Sequence, residues 1–412
     1  MTKPTPCRVL MIAENGNYPG DPRVATEART LRDWGCAVTV IGPDDKTVSN
    51  QRTIEGIKIY RFPHIHFFSG SLGYALEYTS AALAIVMMTA YVCMTRGFDI
   101  IHVANPPDFI VPLVSIYKLF GKRIIFDQHD LTPELYAARF SRTNVFLLWV
   151  QTLLERLSYR LADHSIVTNE SYRAIALGRG GCLRSEVTVV RNGPDLDRLP
   201  AQQADEDLRK RAPHIIVFAG IVGYQDGLDY LCRALQYLRW SLGRKDFLCV
   251  VLGDGDALRD IQALAYQLEL DSNIWFAGWI SDRDVYWRYL ATADICVSPE
   301  PSNSYNDRST FVKIMEYMAV GRPIVAFDLP ESRFSAGQAA LFATPNNEQE
   351  FAAKLNQLMD SPDLRRSMGE FARRRIESEL AWRYSIPELL SVYGRVSRFE
   401  IERATSNRAA GA

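Results

Sequence analysis

The run SPEPSNSYNDRSTFVKIMEYMAVGRPIVAFDLPE, residues 298–331, decides how the chain is organised. Just before it, Ile295-Cys296-Val297 is a short apolar stretch of the kind a buried parallel strand requires. A polar loop follows, and Ser309-Thr310 then opens a segment in which Phe311, Ile314, Met315 and Met318 recur at helical spacing. Gly321 stops that helix, and Pro323-Ile324-Val325-Ala326 starts another strand. Strand, loop, helix N-terminus and strand place backbone N–H groups at the C-terminal edge of a parallel sheet, where an anion can sit. An ordinary βαβ unit with a polar loop has the same pattern.

Working outward, the N-terminal half repeats this logic. Arg8–Ala13 is a first strand, and the loop after it holds Gly20, Asp21 and Arg23. A helix with Val24, Ala28 and Leu31 on one face follows, ended by Gly35, and Val38–Ile41 is the second strand. No GxGxxG occurs, which weighs against a dinucleotide-dependent dehydrogenase. Asp21 and Arg23 suit either a plain helix start or a binding loop. Strands at 57–60, 99–103 and 123–127 continue the sheet and deliver Asn105 and His129 to its C-terminal edge. His102, inside a strand, suits a satisfied core histidine. His129, flanked by Asp127 and Asp130, is placed either to meet a substrate or to order its loop. Asp163-His164 is expected to be surface packing. A second set of strands begins at His214–Gly220, and helices are expected over 347–359, 362–379 and 382–402.

Composition is that of a soluble two-domain protein: 412 residues, 47% hydrophobic and 23% charged, net charge −1. That balance gives no case for nucleic acid. Residues 1–193 carry 21 basic and 17 acidic side chains, the remainder 26 and 31, so an anionic partner for the first half is one reading and scattered solvated charge the other. The seven cysteines show no CxxC spacing, which points to reduced thiols in a cytosolic protein and to neither a zinc site nor a disulfide frame. The polar N-terminus runs straight into a strand, so no signal peptide is expected. No GxxxxGK[ST], HExxH or GxSxG occurs.

Residues 78–95 carry no charge and approach the length that spans a bilayer. A true span would divide one sheet across the membrane, which leaves a buried core helix or a membrane-surface helix as the better readings. Aromatics at Phe67, Phe68 and Tyr74 extend the candidate contact to 67–95.

The opening stretch resembles the donor site of family 4 retaining glycosyltransferases, in which two Glu separated by seven residues precede a Gly-x-Pro-Val-Val strand. Glu316-Tyr317-Met318-Ala319-Val320-Gly321-Arg322-Pro323-Ile324-Val325 matches the second half, but Arg308 stands where the first Glu belongs. Asp21-Pro22-Arg23-Val24, Asp99-Ile100-Ile101-His102, Gly253-x-Gly255 and the strand ending in Gly278 add spaced matches in the right order, with the bacterial exopolysaccharide and O-antigen enzymes as the subgroup resembled. The resemblance implies a GT-B fold: two Rossmann-like α/β domains facing across a cleft, with a C-terminal helix crossing back to the N-terminal domain. Expected bounds are 1–193 for the acceptor domain, 194–212 for a linker, 213–385 for the nucleotide-sugar domain and 386–412 for the crossover helix and tail.

It also implies the chemistry: a retaining, metal-independent transfer from a nucleotide-diphospho-sugar to a hydroxyl acceptor, with no cofactor and no protein nucleophile. Site residues follow by position. His129, Asp307 and Glu316 are the catalytic candidates, with Glu316 gripping the nucleotide ribose. Gly223, Gly227, Gly253, Gly278, Trp279, Asn306, Arg308, Ser309, Thr310 and Lys313 are expected around the donor. Gly20, Asp21, Arg23 and Asn105 fall on the acceptor side. The family's diphosphate-binding Arg and Lys are replaced by Ile221 and Asp226, so Lys313, Arg308 or the loop backbone must compensate. The acceptor is expected to be a polyprenyl-linked or polysaccharide precursor, used by a cytoplasmic enzyme on the inner membrane face. Alternatives are a nucleotide-sugar 2-epimerase and an inactive nucleotide-sugar-binding subunit.

Overall fold

The computed structural model describes residues 7–16, 18–44, 52–63, 71–140, 143–200 and 203–397. The aromatics at 67–70 and the tail from 398 lie outside these residues. The chain divides into two compact units: 1–133 with 144–190 and 385–412, and 134–143 with 191–384.

The first unit is built on strands β1 (Arg8–Ala13), β2 (Ala37–Pro43), β3 (Thr53–Ile54), β4 (Ile57–Phe62), β5 (Ile100–Ala104), β6 (Arg123–Gln128), β7 (His164–Val167) and β8 (Val187–Val189). They lie in the order β3-β4-β2-β1-β5-β6-β7-β8, parallel except for the short β3–β4 pair. Central strands such as β5 are buried end to end, as a parallel sheet covered on both faces requires. Helix α1 (Pro22–Asp33) starts where Asp21 accepts a hydrogen bond from Val24 N at 2.9 Å and Pro22 presets the first turn. It ends at Gly35, whose φ of +99° favours glycine. The helix Ile386–Val396 belongs to this unit and packs against α1, β7 and β8. The chain therefore leaves the second unit and returns to the first.

Helix α2 (Ser71–Thr95) corrects the core-helix reading of the uncharged segment. Its window Leu76–Thr95 is only 22% buried. Ala81, Ile85, Thr89 and Val92 form one narrow stripe turned inward, while Leu83, Met87, Tyr91 and Met94 are exposed. A second correction concerns His164, which is buried in β7 with Nε2 2.9 Å from Thr188 Oγ1; burial pushes its pKa down to about 4.

The second unit carries β9 (His214–Ala219), β10 (Phe247–Leu252), β11 (Ile274–Gly278), β12 (Ile295–Ser298), β13 (Ile324–Phe327) and β14 (Ala340–Ala343). All are parallel, in the order β11-β10-β9-β12-β13-β14. Alternation along β9 splits the core: Ile216 and Phe218 pack on one face of the sheet, Ile215 and Val217 on the other. The helix expected from Ser309 instead begins at Val312 and runs to Ala319. Asn303 Oδ1 accepts from the N–H groups of Tyr305 and Asn306, both at 2.9 Å, which stabilises a separate 3-10 turn over Asn306–Arg308.

Candidate active site

In the first unit the sheet order reverses between β1 and β5, and a crevice opens at the C-terminal ends of strands at such a switch point. Arg23 enters it from the first turn of α1 and is buried. Its Nε and Nη2 donate to the two Asp127 oxygens at 3.1 and 2.8 Å, Nη1 donates to Val190 O at 2.9 Å, and Nη2 lies 3.1 Å from Glu27. Asp127, at the end of β6, also meets His129 Nε2 at 2.6 Å and His102 Nε2 at 3.3 Å. His102 Nδ1 lies 2.8 Å from Tyr393 Oη, on the returning helix.

This cluster is charged because its charges are paired. Burial alone would push the Asp127 carboxyl up, but Arg23 and His129 hold it well below the usual range. Burial would lower the His129 pKa; the Asp127 carboxylate outweighs that and raises it. Glu27, left with less compensation, is pushed up to about 7 by burial. Glu27, His102 and Asp127 offer ligand atoms within 4.8 Å of one another, but the Arg23 guanidinium already lies against both carboxylates. Asn105 is a clamp: its Oδ1 accepts from the N–H groups of His129 and Asp130 at 2.6 and 3.1 Å, while Nδ2 donates to Asp108. Gly20 is exposed on the loop and Asp21 is spent on capping. Glu14, just past β1, is buried with Oε2 unbonded, and burial pushes its pKa up to about 7.

In the second unit the order reverses between β9 and β12, and the loops after these two strands touch. A Cβ at Gly227 would overlap Pro299 O, and φ at Gly227 is +71°, so that approach requires glycine. Asn306, fully buried, donates through Nδ2 to Gln225 O at 2.9 Å and Pro301 O at 2.8 Å, tying the loops together, while its Oδ1 is unbonded. Lys313 Nζ reaches back to Glu300 Oε1 at 2.5 Å and lies 3.9 Å from Asp226 Oδ1. The Lys313 ammonium is therefore neutralised from within. Asp226 also accepts the Gly223 N–H at 3.1 Å, and burial pushes its pKa up to about 6 against the pull of Lys313.

One turn further along the same helix, Glu316 accepts a 2.6 Å hydrogen bond from Tyr286 Oη and lies 4.0 Å from Arg283. Burial raises its pKa. Asp307 accepts from Ser302 Oγ at 3.1 Å, Arg308 donates to Ser304 O at 2.5 Å, and Ser309 donates to Tyr305 O at 2.9 Å, with Thr310 beside it. Gly253 packs against Gly220, so the ends of β9 and β10 also touch. Gly278 ends the edge strand β11, with the exposed Trp279 just after it, and β10 separates this strand from β9.

Sequence reasoning passed over Glu300, Glu27, Asp127 and Tyr286 as site members. Glu300 and Asp127 were findable: each is a carboxylate at the end of a strand on the sheet's C-terminal edge, the signal that singled out His129. Tyr286 gave none.

Two family models match the chain in tandem: Glycosyltransferase Family 4 over residues 23–198 and Glycosyl transferases group 1 over residues 213–361. The chain belongs to the group 1/family 4 glycosyltransferases. Among curated relatives, the chitobiosyldiphosphodolichol beta-mannosyltransferase of Candida albicans is 23% identical to this family 4 chain over 57% of its length and 54% of the relative's. The chain spans about half the length of curated relatives such as this one. Sucrose-phosphate synthase from Thermosynechococcus elongatus superposes with a TM-score of 0.76 at 16% identity, over 94% of this chain and 98% of that one. HepE from Anabaena, solved with UDP-glucose, superposes at 0.71 with 15% identity, over 94% and 99%. At these identities the structures establish the fold, the GT-B architecture of two Rossmann-like units with a returning C-terminal helix.

Proposed function

We propose that the chain is a retaining, metal-independent glycosyltransferase that moves a sugar from a nucleotide-diphospho-sugar to the hydroxyl of a lipid-linked or polysaccharide precursor at the cytoplasmic face of a membrane. The carrying observation is the second unit's switch point, where Asn306 joins the 221–227 and 299–308 loops just ahead of the helix Val312–Ala319 that carries Glu316. Nucleotide-sugar use is supported by the family match and by the UDP-glucose bound to HepE. A lipid-linked acceptor is supported by the dolichol-diphosphate named for the Candida relative and by the exposed apolar side chains of α2 from Leu76 on.

In this reading Glu316, oriented by Tyr286, accepts hydrogen bonds from the ribose. The Gly223–Gly227 backbone and Lys313 face the leaving diphosphate, whose charge grows as the glycosidic bond breaks. Asp307 accepts from a sugar hydroxyl, and the fully buried Asn306 positions the loop that carries it. His129, held in orientation by Asp127, keeps its place as a catalytic candidate. The internal neutralisation of Lys313 by Glu300 favours one second reading, a nucleotide-sugar-binding subunit without turnover. Calorimetric titration with UDP and GDP, followed by mass analysis of donor hydrolysis, separates the two. Binding with slow hydrolysis supports the transferase, binding without hydrolysis the subunit, and no binding overturns both.

A further inference from the structure

Three helical segments lie side by side on one face of the first unit's sheet: α2, α3 (Ile110–Val114) with its 3-10 continuation Ser115–Phe120, and the helix Val145–Leu161. Each turns large apolar side chains outward. Met87 and Met94 on α2 are 66% and 80% exposed, Leu119 and Phe120 are 83% and 69%, and Phe146 and Trp149 are 67% and 59%. A large aromatic side chain alone carries about 150–250 Å². Together these residues far exceed the few hundred Å² of contiguous apolar surface that a soluble monomer leaves uncovered.

The charges of the same segments are predominantly basic. Over 76–96, 110–123 and 145–161 the only carboxylates are Glu77 and the buried Glu155, which is bound to Arg179. Arg96, Arg156 and Arg160 are exposed, and none pairs with a carboxylate among the described residues. Topology gathers the basic side chains at one edge, beside Met94, Leu119 and Phe120. Segments that link parallel strands run back against them, so Arg96, Lys122 and Arg160 sit together where β5, β6 and β7 begin. Val145, Phe146 and Trp149 lie toward the other edge, where the strands deliver Asn105 and His129. The outward face of Val145–Leu161 runs Phe146, Trp149, Leu153, Arg156, Arg160, a helix that is apolar at one end and cationic at the other.

We infer that this three-helix face docks on an anionic phospholipid bilayer, with Trp149, Phe146, Leu119, Phe120 and Met87 entering the interface and Arg96, Arg156 and Arg160 meeting lipid phosphates. An apolar contact alone binds marginally and reversibly, and a basic cluster supplies the second anchor. A protein groove would satisfy the apolar side chains but leave the unpaired arginines without a reason. The inference rests on the lipid-linked acceptor reading and deepens it: the contact is not α2 alone but centres on Val145–Leu161 and Ser115–Phe120.

The test is flotation of the full chain with vesicles of phosphatidylcholine, with and without phosphatidylglycerol and free of any acceptor, so the outcome does not depend on catalysis. The wild type is expected to float only with phosphatidylglycerol and to be released as salt rises. Phe146→Ser with Trp149→Ser, and separately Arg156→Glu with Arg160→Glu, should each lower the bound fraction by about tenfold or more. Tyr266→Ser, an exposed aromatic of the second unit, should leave it unchanged. A thermal unfolding transition equal to that of the wild type, followed by circular dichroism, is the fold control for each variant, since all four substituted positions are exposed. Absence of flotation at low salt overturns the inference, as does flotation that the face variants leave intact. A concentration-dependent dimer that both face variants abolish, without vesicle binding, assigns the surface to a second copy of the chain and overturns it too. Loss of nucleotide binding in the wild type strikes the proposed transferase reading alone.

Discussion

His129 and Asp127 are two residues apart in sequence, and their side chains meet at 2.6 Å, with Asp127 fixed from behind by Arg23. The pair is an imidazole on a buried carboxylate, and its protonation is coupled to folding. The raised His129 pKa contributes stability that is complete below the unfolded value of about 6.5 and lost as pH rises through the raised one. The depressed Asp127 pKa contributes stability present above about 3.9 and lost as pH falls through its folded value. Both contributions are complete between those unfolded values.

Asp127→Asn should therefore do two things. It leaves the buried Arg23 with Glu27 as its one remaining carboxylate, at a cost of up to about 3 kcal/mol, the lower end for breaking a buried ion pair. It also drops the His129 pKa below its present value, because burial is no longer opposed. Imidazole proton resonances followed through a pH titration report the second effect. An unchanged His129 titration would mean that Asp127 does not set its charge.

Tyr393→Phe removes the hydroxyl that meets His102 Nδ1 and so tests how firmly the returning helix is held. A loss of about 1 kcal/mol is expected, typical of one buried hydrogen bond. A urea midpoint that falls at constant slope checks it, since a changed slope signals a different denatured state.

Glu316→Gln keeps an oxygen for Tyr286 and should leave the fold intact. Replacing a charged acceptor for the ribose by a neutral one should weaken donor binding by about tenfold, within the roughly 1.5–3 kcal/mol of a charge-assisted bond. Isothermal titration with the nucleotide-sugar reads this directly, and equal affinities would remove Glu316 from the donor site.

How much of this was legible in the sequence depended on range. The α1 cap, the Gly35 stop and the buried strands are local, and Asp21, Gly35 and the apolar runs displayed them. The same locality let the polar loop before Glu316 stand out. Arg23 and Asp127 are 104 residues apart, and Lys313 and Glu300 face each other across a loop and a turn, so nothing in their spacing revealed that the cations were already taken. An uncharged segment such as 78–95 states only that water is avoided, and the fold decides which faces meet protein. In α2 a four-residue stripe does so. The late start of the Val312–Ala319 helix came from Asn303, whose side chain competes locally with helix formation.

Asp226 supplies the sharpest test of the donor site. Burial pushes its pKa up to about 6, so it is an acid whose ionisation the fold resists. Above that pH it places a negative charge on the loop proposed to face the donor diphosphate, and below it that charge is gone. Its contribution to stability has the matching sign: folding is disfavoured progressively as pH rises from the unfolded value of about 3.9 through about 6. Donor affinity should accordingly fall as pH rises through about 6, by roughly tenfold, since two like charges a few ångströms apart at a protein surface repel by a few kcal/mol before solvent screening. Asp226→Asn should flatten that profile and bind at neutral pH as tightly as the wild type does in acid. A nucleotide-sugar, whose diphosphate has no terminal group titrating in this range, is the right probe, because a free nucleoside diphosphate would add its own proton to the curve. Parallel pH profiles for the wild type and Asp226→Asn would show that the diphosphate lies elsewhere, and the 221–227 loop would lose its place in the site.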